Sequence, residues 1–194
     1  MYNEEEVMKA TWRTPEDKAE YSSEEVFKKM RDYVNVMGYE YNVAIGTDSQ
    51  MIGHAFQFIS VISVHRVGKG GLYFYSREFV ARTKFPIENQ KMRMYDEVTR
   101  SIALGLTFKE KTGIDPNIHI DASPSHKHKE FTAKFSEQMR GYAQASGFNC
   151  FLKPESYTAN AIADRHSKKK SRKQQRKMLR IEQHKKNVVK QNTK

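Results

Sequence analysis

The sequence predicts an α/β fold in which a mixed five-stranded sheet carries helices on its faces. Three strand-like segments follow one another through short connections, which is typical of an antiparallel meander. The second half alternates helical and strand-like segments, which is typical of a sheet covered by helices. The predicted order of the core is β-β-β-α-β-α-β-α, and one further helix precedes it.

The helix before the sheet is predicted to begin at Ser23, a residue type that caps helix N-termini. Apolar residues then recur along one face at spacings of three and four: Phe27, Met30, Val34 and Met37. This spacing is that of an amphipathic helix, and Gly38 is placed to end it.

Segments rich in β-branched and aromatic residues predict the meander: Tyr41–Asp48, Ala55–Arg66 and Gly71–Val80. The GKGG sequence at 68–71 is interpreted as a hairpin turn. It lacks the spacing and the following helix of a phosphate-binding Walker loop.

Helical periodicity predicts a long helix after Pro86, with one apolar stripe formed by Tyr95, Val98, Ile102 and Leu106. Two further helices are predicted at Glu130–Ala145 and Ser156–Ser167. Between the helices lie two short strands, Asn117–Asp121 and Phe148–Lys153.

The positive charge is confined to one end of the chain. The 194 residues carry 34 lysines and arginines against 23 acids, a net charge of +11. Residues 168–194 hold twelve of these cations and one acid, so the first 167 residues are neutral. The predicted organisation is a polar lead-in at 1–22, one domain at 23–167 and a basic tail at 168–194. Such a tail favours a polyanionic partner.

Composition excludes several classes of protein. The single cysteine, Cys150, cannot form an intrachain disulfide, so no disulfide partner and a cytoplasmic location are expected. No apolar run approaches the roughly 20 residues that cross a bilayer, and the acidic N-terminus is unlike a secretory signal. The tail lacks the large apolar face of a membrane-lying helix, so nucleic acid is the expected partner rather than a membrane.

Acids at the ends of predicted elements are the candidate site. Asp48 closes the first strand of the meander and Asp121 closes the fourth strand. If these strands are neighbours, their carboxylates converge at the sheet edge where ligands bind in α/β folds. Glu97 and Asp164 lie off the apolar stripes of their helices. Gathered carboxylates repel one another, and a hard cation such as Mg²⁺ relieves that repulsion.

Five ordered motifs resemble the YkuK-type ribonuclease H-like family of bacteria and phages: GTDSQ, HRVGKGG, EVTRS, IHID and KPESYTANAIADRHSK. The resemblance covers roughly residues 24–168. It implies a ribonuclease H-like fold with four site carboxylates: Asp48, Glu97, Asp121 and Asp164. The family is defined by sequence rather than by an established activity. The substrate-gripping insertions of typical ribonucleases H are not visible, so substrate choice does not carry over.

The primary hypothesis is a nuclease that hydrolyses phosphodiester bonds with two Mg²⁺ or Mn²⁺ ions. The four acids serve as metal ligands and catalytic residues. Basic residues near the last acid are predicted to contact nucleic acid: Lys153, Arg165, His166, Lys168, Lys169, Lys170, Arg172 and Lys173. The alternative is a non-catalytic module that binds nucleic acid through its tail, and a third possibility is a nuclease acting on branched DNA.

Each acid also has a simpler interpretation. Asp48 is adjacent to Ser49 and suits a turn, and Asp164 is adjacent to Arg165 and suits an ion pair. Asp96 directly precedes Glu97, so it is an alternative candidate for the acid that the long helix contributes to the site. His166 is compatible with a phosphate contact, with orienting a water molecule or with simple exposure.

Overall fold

The computed structural model describes residues 2–81, 90–122, 133–156, 162 and 166. The helices and strands within these ranges are, in chain order, α1 (Glu4–Met8), β1 (Trp12–Arg13), α2 (Ser23–Val34), β2 (Tyr41–Ile52), β3 (Ala55–Arg66), β4 (Gly70–Ala81), α3 (Gln90–Thr112), β5 (Asn117–His119), α4 (Ala133–Ala145) and β6 (Cys150–Phe151). No helix in these ranges is long and apolar enough to cross a membrane.

The strands form one mixed sheet in the order β1-β4-β3-β2-β5-β6. β2, β3 and β4 are the predicted antiparallel meander. β5 then pairs parallel with β2, and β6 pairs parallel with β5. The predicted α/β class and mixed sheet are therefore confirmed.

The main core lies between the helices and one face of the sheet. Phe27 of α2 meets Phe108 of α3 edge to face at 5.4 Å, and both are buried against Ile45 and Ile118 of the sheet. On the opposite face Ile59, Val61 and Tyr75 form a second buried cluster, against which Ile162 packs. Burial of apolar surface on both faces stabilises the layered arrangement.

The first 22 residues, whose composition predicts only a polar lead-in, add the sixth strand. β1 pairs with β4, and Trp12 is 1% exposed. The Trp12 indole donates to the hydroxyl of Ser23 at 2.8 Å, and that hydroxyl donates to the carbonyl of Val7 at 2.6 Å. A strand of two residues has no periodicity, so it leaves no pattern to recognise.

Several predicted boundaries differ from the structure: β5 ends at His119 and β6 spans only Cys150–Phe151. β2 continues four residues past Asp48, because Gly53 at φ +60° forms a two-residue turn that pairs Ser49–Ile52 with β3. Asp48 therefore lies inside its strand rather than at the end. α2 ends at Val34, which leaves Met37 92% exposed, and Leu106 on α3 is also exposed, outside the apolar stripe predicted for it.

Candidate metal and nucleic-acid site

The strand pairing brings Asp48 on β2 near Asp121, which lies just beyond the end of the neighbouring strand β5. In the parallel pair of β2 and β5, Gly46 is opposite His119. Asp48 follows Gly46 by two residues, and Asp121 follows His119 by two. Both acids are half-buried. The predicted convergence of these two acids at the end of β5 thus has its basis in the register of the sheet.

Glu97 brings a third carboxylate to this edge from α3. It accepts a hydrogen bond from the hydroxyl of Ser49, the residue after Asp48. The pKa of Glu97 is raised from 4.5 to about 8, mainly by burial and also by the negative charges of Asp48 and Asp121, whereas Ser49 and the Arg93 guanidinium act in the opposite direction. Three acids therefore interact electrostatically at one place.

The neighbouring acid on α3 has a different role. The carboxylate of Asp96 accepts a hydrogen bond from Arg100 at 2.7 Å, and Arg100 also pairs with Glu78. Arg100 is 6% exposed, and the two acids neutralise its buried charge. Of the two adjacent acids, Glu97 is the one that faces Asp48.

The three carboxylates approach the edge from different sides. Successive side chains of a strand point to opposite faces, so Ser49, which holds Glu97, and Asp48 project in opposite directions. Within the described residues, no group of three or more His, Cys, Asp or Glu side chains is arranged to hold a metal ion. The donor chemistry fits Mg²⁺ or Mn²⁺, which prefer carboxylate oxygens.

Lys153 neutralises one of the three acids. It lies two residues past β6, and its ammonium forms an ion pair with the carboxylate of Asp121. The Lys153 side chain is 51% exposed, whereas that of Asp121 is 25% exposed. A residue predicted to contact nucleic acid is thus placed directly against a predicted metal ligand.

His166 packs on the second face of the sheet. Its ring stacks on Tyr75 with centroids 3.8 Å apart and an angle of 17° between the planes. Its Nε2 atom lies 2.9 Å from the hydroxyl of Tyr73. Ile162 lies on the same face and packs against Ile59, Val61 and Tyr75. Its ring is engaged with protein groups, and its predicted phosphate contact stays a prediction.

The remaining predicted site residues lie outside the described part of the chain: Asp164, Arg165, Lys168, Lys169, Lys170, Arg172 and Lys173. The basic tail at 168–194 lies there as well.

Sequence reasoning missed the residues that surround the acids. Ser49 lies inside the GTDSQ motif, but only the structure shows that its hydroxyl reaches across 48 residues of sequence to Glu97. Tyr73 and Tyr75 look like ordinary strand residues. Their alternation along β4 places both on the face that His166 covers, a pattern that was available in the sequence.

Comparison with known proteins agrees with this architecture. The family model described as ribonuclease H-like matches residues 25–168. The uncharacterized protein YkuK of Bacillus subtilis (strain 168) is 28% identical over 144 residues, which covers 66% of this chain and 80% of that protein. No solved structure matches the chain. Family membership supports a nuclease or a nucleic-acid-binding module. The chain belongs to the ribonuclease H-like family, and its likeness to YkuK supports the YkuK type within that family.

Proposed function

We propose that this protein is a nuclease that hydrolyses phosphodiester bonds of nucleic acid with bound Mg²⁺ or Mn²⁺. The observation that carries the proposal is that Asp48 on β2, and Asp121 two residues past the end of the neighbouring parallel strand β5, both raise the pKa of Glu97. Carboxylates that disfavour one another's charge are stabilised by a divalent cation.

In this proposal Asp48 and Asp121 hold the metal from the sheet, and Glu97 and Asp164 complete the set of ligands. Bound in a pair, such ions supply an activated water and stabilise the leaving oxygen of the phosphodiester. The rest is done by the protein. The hydroxyl of Ser49 orients the carboxylate of Glu97 and favours its charged form. Lys153, which lies beside Asp121, would neutralise a phosphate oxygen of the bound strand.

The basic segment that follows Asp164 supplies affinity in this proposal. Phosphate contacts by lysine and arginine are independent of base sequence and weaken steeply with salt. Arg165, His166 and Lys168–Lys170 follow a predicted metal ligand directly in sequence. Such a segment draws a strand toward a body whose own net charge is zero.

Cleavage of a panel of substrates tests the proposal. Purified protein is incubated with an RNA–DNA hybrid, single strands, duplexes and branched DNA in the presence of Mg²⁺ or Mn²⁺. We expect at least one substrate to be cut, and we expect Asp48→Asn and Asp121→Asn to abolish the cut. Cleavage that is unchanged in both variants would refute the assignment.

One observation favours a second function, a binding module without catalysis. Lys153 already neutralises Asp121, and the described residues hold no group arranged to bind a metal ion. For this function we expect nucleic-acid binding that is indifferent to Mn²⁺ and to both asparagine variants. Calorimetric titration of Mn²⁺ into the protein distinguishes the two: heat that disappears in Asp121→Asn supports the nuclease.

A further inference from the structure

Arg77 lies on the same face of the sheet as Asp48 and in the same row. In the register of the meander Asp48 is opposite Ile59, and Ile59 is opposite Arg77. Residues that are paired across adjacent strands share one face. Two strand spacings of about 4.8 Å place the Cα atoms of Asp48 and Arg77 roughly 10 Å apart, within reach of an arginine side chain.

Arg77 is a half-buried cation with spare hydrogen-bond donors. Its Nη2 atom donates a long bond of 3.5 Å to the carbonyl oxygen of His166, and its guanidinium lies 5.9 Å from the ring centre of Tyr75. Its Nε atom is buried and has no hydrogen-bond partner. No carboxylate within the described ranges forms an ion pair with Arg77, and burial lowers its pKa.

Two other arginines near this part of the sheet do have carboxylate partners. Arg100, on α3, has its charge neutralised by Glu78 and Asp96. Arg13, on β1, is opposite Tyr75 of β4 and forms an ion pair with Glu20. The positive charge of Arg13 lowers the pKa of Arg77 further. A desolvated cation is costly unless an anion compensates it, so the environment of Arg77 favours an anionic ligand.

The chemistry of the guanidinium selects the anion. Its planar fork of donors matches a phosphate, to which arginine forms paired, charge-assisted hydrogen bonds. Nucleic acid brought to Asp48 and Asp121 meets carboxylates that repel its backbone. A cation in the row of Asp48, two strands away, offsets that repulsion at a neighbouring phosphate.

We propose that Arg77 binds a backbone phosphate of the nucleic-acid strand that is processed at the carboxylates. The inference rests on the proposed function, because it takes the carboxylates as the place where the strand is processed. It adds a backbone-binding site on the sheet, distinct from the basic tail. The carbonyl of His166, fixed by the stacking of its ring on Tyr75, orients the guanidinium.

Binding without metal tests the inference on the full chain. The probes are fluorescein-labelled single strands of about 15 nucleotides, one of DNA and one of RNA, and fluorescence anisotropy is followed in EDTA over a range of KCl. For Arg77→Gln we expect about tenfold weaker binding and a salt slope smaller by about 0.7, the value for one phosphate contact on a single strand. Arg77→Lys keeps the charge but loses the fork, so a smaller loss of about threefold is expected.

The matched control is Arg31→Gln, which removes the same charge from the exposed surface of α2. Its affinity and salt slope should stay within about twofold of the wild type. Circular dichroism melting checks that the variants fold. If Arg77→Gln does not fold, the result for Arg77→Lys decides the test.

The outcomes separate this inference from the proposed function. Wild-type affinity and slope in both Arg77 variants would overturn the inference, and so would a wild-type chain that binds neither probe. Because no metal is present, weakened binding in Arg77→Gln supports the phosphate site even if no substrate is cut. Cleavage with normal affinity in Arg77→Gln would remove Arg77 and leave the nuclease in place.

Discussion

Ser49 donates a hydrogen bond to the carboxylate of Glu97 and so ties α3 to β2 beside Asp48. This bond favours the charged form of Glu97, whereas burial and the charge of Asp48 favour the neutral form. Burial and the charge of Asp48 prevail, because the pKa of Glu97 rises to about 8. At neutral pH Glu97 is therefore protonated in the metal-free protein, although it must be ionised to bind a cation.

Metal affinity should accordingly rise with pH. Below pH 8 a cation that binds Glu97 must displace its proton, so we expect Mn²⁺ affinity to increase about tenfold per pH unit between pH 6 and 7 and to level off above pH 8. Calorimetry in buffers of different ionisation enthalpy measures the release of the proton. Glu97→Gln should bind more weakly and release none; an unchanged pH profile in this variant would contradict the role of Glu97.

The metal-free protein should lose stability over the same range. The pKa of Glu97 in the folded state, about 8, lies above its ordinary value of 4.5. Its contribution is therefore fully present below pH 4.5 and is lost as pH rises through 8. We expect the melting temperature of the wild type to fall relative to that of Glu97→Gln between pH 5 and 8. Parallel melting curves would show that Glu97 ionises normally.

Lys153 should compete with metal for Asp121. Because its ammonium pairs with this carboxylate, Lys153→Met removes a competing cation and should strengthen Mn²⁺ binding by about three- to tenfold. The same change should weaken nucleic-acid binding if Lys153 contacts phosphate. Lys109→Met, which removes a lysine paired with exposed Asp115, is the control and should change neither. Weaker Mn²⁺ binding in Lys153→Met would contradict the competition.

The two sheet carboxylates should be individually necessary for metal binding. Asp48→Asn and Asp121→Asn each replace a charged ligand by a neutral amide of the same shape, and we expect Mn²⁺ affinity to fall by at least about tenfold. Asp32→Asn, an exposed acid paired with Lys28, serves as the control and should leave affinity unchanged. Asparagine variants that bind Mn²⁺ as the wild type does would place the metal elsewhere.

Removal of residues 168–194 should separate affinity from metal binding. The segment carries twelve cations against one acid, so its loss should lower both the affinity for nucleic acid and the dependence of that affinity on salt. Mn²⁺ titrations should be unaffected. Equal affinity before and after truncation would show that the tail does not contact nucleic acid.

The sequence predicted the meander well, because each of its three strands carries a long run of β-branched and aromatic residues. The sequence left open which strand is the neighbour of β2, since β5 and β6 are only three and two residues long. It also singled out Asp48, Asp121 and Glu97 as candidate site residues, since acids beside apolar strands and helical stripes are conspicuous. What it could not give is pairing over distance. The preference for Glu97 over Asp96 depends on Arg100, whose partners lie on two different elements.

Other features escaped for a similar reason. The continuation of β2 beyond Asp48 depends on the turn at Gly53. This turn pairs Ser49–Ile52 with β3, although that segment has no strand pattern of its own. Whether Arg77 has an acidic partner depends on which acids already pair with other cations, and that is a property of the whole fold. Local patterns predict elements, whereas the pairing of charges needs the three-dimensional arrangement.

The burial of Trp12 has a practical consequence for the boundaries of this family. The matched region begins at residue 25, yet Trp12 is 1% exposed and is hydrogen-bonded to Ser23. A version of the protein trimmed to the matched region would uncover Val26 and the free edge of β4, two surfaces prone to self-association. Soluble expression of this protein should therefore depend on the segment that precedes residue 25.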